Sequence, residues 1–240
     1  MRKCPKWGTL RGRIVWAGKQ LPRQLPLAIN PANLALAKVN QVLDETWIVD
    51  EKTKGLKDTF VWLAPAKKDA KLLIHPALRK IPDGNRKMEI TMVADMYTPH
   101  ALAMREGQIL VFRNSSAVVH CVKWAGHPDR NPGGAVIIPA GKSHEAKNLN
   151  ADHLPILVDC FIHPWMRAFV RVFDHPYFAV TDQHGDFEIK NAPAGPCRVM
   201  IWHGSGGWLS GVKGRNGRPI TITGGKRTDL GEFPYTPPAP

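Results

Sequence analysis

The last third of the chain is cut into short apolar runs by turn residues. YFAVTD leads into Gln183-His184-Gly185, DFEIKN into Pro193-Ala194-Gly195, and CRVMIWH follows. β-Branched and aromatic residues fill each run, and Gly, Pro or polar residues end it after about ten residues. That rhythm is a meander of short strands, the pattern of a β-sandwich. The punctuation extends over the whole chain: 21 Gly and 21 Pro among 240 residues leave little room for long helices. The expected fold class is therefore all-β. One stretch departs from it. ANLALAKVNQVLDE, residues 32–45, is rich in Ala and Leu and free of Gly and Pro. It predicts one short helix, capped by Asn30 or Asn33.

Other segments follow the strand pattern. WGTLRGRIVWAGK, residues 7–19, reads as a strand and turn, and TWIVD and TFVWLAP as two strands about Gly55. Residues 66–90 are charged and broken by Pro76, Pro82 and Gly84, and they predict a surface connection. EITMVADMYTPHALAM and REGQILVFRN predict two strands, and residues 115–153 a long loop region holding one short strand at GGAVIIPAG. LPILVDCFIH and MRAFVRVFD predict two more. In the second, Ala168, Val170 and Val172 alternate with Phe169, Arg171 and Phe173, so apolar residues occupy both faces, as in a largely buried strand. PITITGG predicts a last strand, and FPYTPPAP a Pro-rich tail outside any helix or strand.

Length allows one large or two small domains with a real core. The 33 Lys and Arg exceed the 20 Asp and Glu, giving a formal charge of +13 and a pI near 9.8. Such a surface attracts acidic partners. The basic residues are scattered, and no helix-turn-helix, zinc finger or aromatic-basic RNA surface accompanies them, so nucleic acid is not an expected partner. The four cysteines, Cys4, Cys121, Cys160 and Cys197, form no CxxC pair. They indicate neither a zinc ribbon nor a disulfide framework, and a Cys4–Cys197 bridge stays open. No apolar stretch reaches the ~20 residues of a membrane span. The start, MRKCPKWGTLRGRIVW, lacks the apolar core of a signal peptide. The chain is then cytoplasmic, or its export signal is absent from this sequence.

The residues with distinctive chemistry cluster in DCFIHPWMRAFVRVF. Cys160, His163 and Met166 form a Cys-x-x-His-x-x-Met set within seven residues, at the seam of two strand-like runs. Thiolate and imidazole bind copper strongly, and a thioether serves as a weak axial ligand. The set lacks a second imidazole. His120 ends another strand-like run, VFRNSSAVVHCVKW, and could supply it. Taken singly, Cys160 reads as a small buried hydrophobe, His163 as a turn residue before Pro164, and Met166 as core. Together, in this order and on strand ends, His120, Cys160, His163 and Met166 read as a metal site of the blue-copper kind, with Phe161, Ile162 and Trp165 shielding sulfur. GxSxG, GxGxxG, GxxxxGK and HExxH are all absent, as are the His-x-His pairs of multicopper oxidases, so the chain does not read as an enzyme.

The strings YTPHALAMREGQILVFRNSSAVVH, VIIPAG and CFIHPWMRAFVRVFDHPYFAVTDQHGDFEIKNAPAGPCRVMIWH resemble plastocyanin-like, cupredoxin-domain proteins carrying an attached carboxypeptidase-regulatory or prealbumin-like β-sandwich. This is the methylamine-utilisation-like type common in planctomycetes. The resemblance covers roughly residues 7–20 and 45–225. It implies a cupredoxin Greek-key sandwich at 88–174, N-terminal strands, helix and connection at 1–87, and a second small sandwich with the Pro-rich tail at 175–240. The strands of 1–87 are expected to pack with that second sandwich. It implies one type 1 copper on His120, Cys160, His163 and Met166, with the exposed edge of His163 as electron exit, and a periplasmic or extracellular location. It implies single-electron transfer with an acidic redox protein such as a cytochrome, or service in a larger envelope complex. A structural subunit with a modified or empty copper site is the alternative, and copper storage or delivery a third. Two positions depart from relatives. Cys121 stands where they carry Asn, so it could compete as a thiolate, and Asp95 stands where they tend to carry Cys. His100 and His203 fall inside the resembling strings and are secondary candidates, His100 as a neighbour of the metal and His203 as a buried strand end.

Overall fold

The computed structural model describes residues 6–37, 41–67 and 70–237. The chain is all-β and divides into two compact units. One comprises residues 24–45 and 81–174, the other residues up to 23, 46–80 and 175 onward. Residues 24–45 and 81–87 thus belong with 88–174.

The first unit is a sandwich. Its five-stranded sheet runs in the order Ala101–Arg105, Arg167–Phe173, Ile156–Cys160, His120–Ala125, Gly134–Ile138. Its four-stranded sheet runs Met96–Thr98, Lys87–Val93, Ile109–Asn114, Ser143–Ala146. Ile90, Leu110 and Phe112 from the smaller sheet and Val122, Val158, Ala168 and Val170 from the larger form one core. Alternation produces it: the buried residues of Ile156–Cys160 are every second one, and their neighbours are half-exposed.

EITMVADMYTPHALAM, expected as one strand, is three. Val93 pairs with Met96 across a two-residue turn at Ala94-Asp95, both at positive φ. Pro99 and His100 then separate Met96–Thr98 from Ala101–Arg105. Proline has no N–H to give a ladder, and here the chain leaves the smaller sheet for the larger. In the region expected to be mostly loop, His120–Ala125 and Ser143–Ala146 are strands as well as Gly134–Ile138.

The expected helix at 32–45 is shorter, Pro31–Ala37. Asn30 caps it, its side chain accepting from Ala32 N–H at 2.9 Å. Residues 38–40 lie outside the described residues. From there the chain turns back on itself: Leu27 N–H donates to Val42 O at 2.8 Å and Asp44 N–H to Leu25 O at 2.9 Å, with Val42 buried. Burying this β-branched residue through strand-like pairing outweighs the helix propensity of its neighbours.

In the second unit Trp7–Trp16 lies between Asp186–Pro193 and Arg227–Tyr235, and a further sheet runs Phe178–Val180, Thr59–Pro65, Gly195–His203, Gly207–Trp208, with Arg218–Ile222 pairing Gly195–His203. TWIVD is not a strand; its Val49 makes only an isolated bridge to Leu56. Cys197 is buried and has no disulfide partner among the described residues, and burial pushes its thiol up to about 11. Its suggested partner, Cys4, lies outside the described residues. The start of the Pro-rich tail is also corrected. Phe233, Pro234 and Tyr235 finish a strand that pairs in parallel with Trp7–Trp16, and both aromatics are buried. Pro234 is tolerated because the strand is an edge of its sheet.

Phe233→Ala is therefore expected to lower the stability of this unit by about 3–5 kcal/mol through the cavity it leaves. Denaturant unfolding of the two proteins side by side checks this; a loss under ~1 kcal/mol, the level of a surface change, would return these residues to the tail.

Candidate metal centre

The centre is built from the ends of strands. Asn114 ends Ile109–Asn114 and is fully buried. Its amide donates to Val118 O and Ile138 O, both at 2.8 Å, while its Oδ1 accepts from Ser116 N–H at 3.0 Å and Ser116 Oγ–H at 2.8 Å. This one side chain closes the 115–119 loop on itself and onto the strand Gly134–Ile138. The loop delivers His120 as the first residue of the next strand, opposite Ile138 and fully buried.

Ser116 also orients the imidazole. Its Oγ lies 2.8 Å from His120 Nε2. The hydroxyl has one hydrogen and two acceptors for it, Asn114 Oδ1 at 2.8 Å and Val118 O at 3.1 Å, which leaves a lone pair to accept the proton of Nε2. His120 Nδ1 then presents a lone pair to the interior. Burial, with the neighbouring His163 as a smaller cause, pushes His120 down to about 4, and at neutral pH the ring is the uncharged donor that metals require.

Cys160 ends Ile156–Cys160, opposite Val122. Phe161 N–H donates to Cys121 O at 3.0 Å and ties the following loop to the strand that begins at His120. His163 and Pro164 make the turn, closed by Met166 N–H on His163 O at 3.0 Å. Two aromatic residues tie this region to the 94–98 hairpin: Trp165 Nε1–H of the loop donates to Asp95 O at 3.1 Å, and Tyr97 O–H donates at 3.0 Å to Asp159 O, in the strand before the loop.

Three of the four expected ligands converge as donors. His120 Nδ1 and His163 Nδ1 are 3.1 Å apart, and Cys160 Sγ lies 3.9 Å from the first and 3.7 Å from the second. They form the one His/Cys/Asp/Glu group suited to an ion among the described residues. Bonds from one ion of about 2.0 Å to nitrogen and 2.3 Å to sulfur would subtend roughly 100°, 120° and 130° across these separations. Together these come close to the full circle of a flat three-coordinate arrangement. Two imidazoles and one thiolate are a donor set that suits copper. Met166, the fourth expected ligand, is buried in the same core as Cys160 and follows His163 by three residues.

Several expectations change. His163 is only 6% exposed and does not present an edge to solvent, whereas Phe161 is 61% and Ile162 45% exposed. These two do not shield the sulfur; Cys160 is enclosed by the inter-sheet core to which it belongs. Trp165 does pack there, 5.2 Å from the His163 ring. Cys121 follows His120 on a strand and stands on its other face, outside the donor group. His100 is buried against Phe169, its Nδ1 3.4 Å from Glu45, and is not part of the donor group. His203 belongs to the other unit, where it stacks on Trp47. Sequence reasoning missed Asn114 and Ser116 as positioning groups. It named Asp95 only as a departure; the carboxylate is buried 3.7 Å from His120 Nε2, and burial raises it while burial lowers His163.

No protein-family model matches the sequence, and no curated protein does. Among solved structures, a reduced amicyanin variant is similar at 17% identity and a TM-score of 0.33, over 39% of this chain and 87% of that one. A copper(I) amicyanin variant is similar at 15% identity and 0.33, over 47% and 98%. The copper-containing nitrite reductase of Thermus scotoductus SA-01 is similar at 18% identity and 0.32, over 45% and 25%.

Asn114→Ala is expected to lower the stability of the sandwich by about 3 kcal/mol, because it removes the hydrogen bonds to Val118 O, Ile138 O and Ser116, each worth ~0.5–1.5 kcal/mol. Urea unfolding of metal-free protein is the measurement. An effect below ~1 kcal/mol would mean that the loop holds its shape without this side chain.

Proposed function

We propose that the chain is a type 1 copper protein that carries single electrons between redox partners outside the cytoplasm. The observation that carries this is the convergence of His120 Nδ1, His163 Nδ1 and Cys160 Sγ, all buried, within 3.9 Å of one another. Copper held there supplies one-electron exchange between its two oxidation states.

The protein's own part is rigidity and enclosure. Asn114, Ser116, Tyr97 and Trp165 hold the donors from four directions, so little moves when charge changes. Cys160 supplies the thiolate and Met166 the weak axial donor. With His163 buried, Phe161, next in chain to the thiolate and mostly exposed, becomes the contact point for a partner. Ile162 and Val119 continue the apolar exposed surface beside the ligands, and Lys123 lies over the Phe161 ring at 5.2 Å. An apolar contact bordered by positive charge, on a chain of formal charge +13, suits an acidic redox protein such as a cytochrome. Export is part of the proposal. Among the described residues no helix is long and apolar enough to cross a membrane.

Addition of Cu(II) is expected to produce an intense visible thiolate band at one ion per chain, and Cys160→Ser to abolish it. Loss of the band on Cys121→Ser instead would overturn the ligand assignment. A colourless protein that takes up no copper would leave the structural-subunit reading.

Met166→Leu is expected to keep copper and raise the midpoint potential, because a weak donor to Cu(II) is removed. Voltammetry and metal analysis together check it. Complete loss of copper would make Met166 a principal ligand rather than an axial one.

A further inference from the structure

Asp95 is placed where a carboxylate is costly. It is the second residue of the two-residue turn between Lys87–Val93 and Met96–Thr98, with φ of 50° at Ala94 and 55° at Asp95. Turn residues of this kind normally face water, and Ala94 does. Asp95 is 1% exposed. Neither of its oxygens has a hydrogen-bond partner among the described residues. Its Oδ1 lies 3.7 Å from Nε2 of His120, and its backbone carbonyl is held by the indole of Trp165, two residues beyond His163.

An enclosed carboxylate without hydrogen bonds costs several kcal/mol unless it faces positive charge. A purely local role does not call for it. Asn and Gly suit positive φ at such a turn at least as well as Asp, without burying a charge. Asp95 lies closest to the imidazole of His120 and also interacts electrostatically with His163, and the His120 ring turns its other nitrogen to Cys160 and His163.

Resting on the type 1 reading, we propose that Asp95 is the charge-balancing group of the metal centre, a positioning residue that acts through His120. A fixed negative charge behind a ligand favours the more positive oxidation state by simple Coulomb attraction. Acting through space rather than by a hydrogen bond, it also polarises the His120 ring and makes Nδ1 a stronger donor. Both effects hold the reduction potential down and strengthen Cu(II) binding relative to Cu(I). Ser116 Oγ, the closer partner of Nε2, fixes the tautomer; Asp95 supplies the charge.

The test compares wild type with Asp95→Asn and Asp95→Gly, both compatible with the turn. The Cu(II) and Cu(I) affinities, the midpoint potential and the melting of metal-free protein are measured for all three. Both variants are expected to keep the thiolate band and to lose about tenfold in Cu(II) affinity relative to Cu(I), which equals a rise of about 59 mV in potential. Metal-free melting is expected to be unchanged or higher, since an enclosed charge is gone. Unchanged potentials in both variants would overturn the proposal and leave Asp95 a turn residue. Complete loss of copper from both would overturn it too, by making Asp95 a direct ligand. Absence of the thiolate band from wild type would instead overturn the type 1 reading, and this proposal with it.

Discussion

The centre depends on one register. His120–Ala125 and Ile156–Cys160 run antiparallel with Cys160 opposite Val122 and Val158 opposite Trp124. Partners directly opposite share a face, and so do residues two apart on one strand. His120 and Cys160 are therefore diagonal neighbours on the inner face, with Val122 and Val158 beneath them in the core. A slip of one residue would turn every one of these side chains to the other face. The apolar residues that alternate along both strands penalise that slip, so the hydrophobic pattern that forms the sandwich also brings thiolate and imidazole together. His163 then needs only a tight turn to complete the group, and Pro164 with the Met166-to-His163 hydrogen bond provides it.

Polar groups at the rim of an apolar core demand partners, and the sandwich provides them without widening the core. Asn114 uses its amide for two carbonyls and its oxygen for two donors of Ser116, and Ser116 passes its lone pair to His120. Each member of the chain fixes the next, so the loop needs no apolar anchor of its own. The two histidines remain neutral because burial disfavours their charged forms. Two neutral histidines beside a thiol bring three donor atoms within 3.9 Å of one another. Trp165 binds the 94–98 hairpin to the loop after Cys160 and Tyr97 binds it to the strand before, so the smaller sheet contributes to the site as well as covering the core.

What could be read in the sequence followed from spacing, and what could not depended on pairing. Cys160, His163 and Met166 are local, and their chemistry is visible within seven residues. His120 was accessible from its place at the end of a strand-like run. Asn114, Ser116 and Asp95 carry no such signal, because Asn, Ser and Asp are ordinary loop residues. Only the closure of the 115–119 loop and the fold of the 94–95 turn bring them to the histidine. The errors in the fold have the same origin. Val42 left the helix for a bridge back to the 25–27 segment, and Phe233 and Tyr235 left the tail for a parallel partner more than two hundred residues away. Local propensity favoured the wrong state in each case, and burial against a distant strand decided it.

The departure at Cys121 is resolved by the same alternation. The residue after His120 lies on the outer face of the strand, so the Cys121 thiol cannot enter the donor group without breaking the register that places His120. Its backbone remains useful, because its carbonyl accepts from Phe161 and joins the two ligand loops through the main chain. A main-chain tie is available to any residue, so the joint does not depend on the side chain at that position. The identity of residue 121 is then free to vary without loss of the link. Asp95, by contrast, acts through its side chain alone, and its identity matters for the charge it places behind His120.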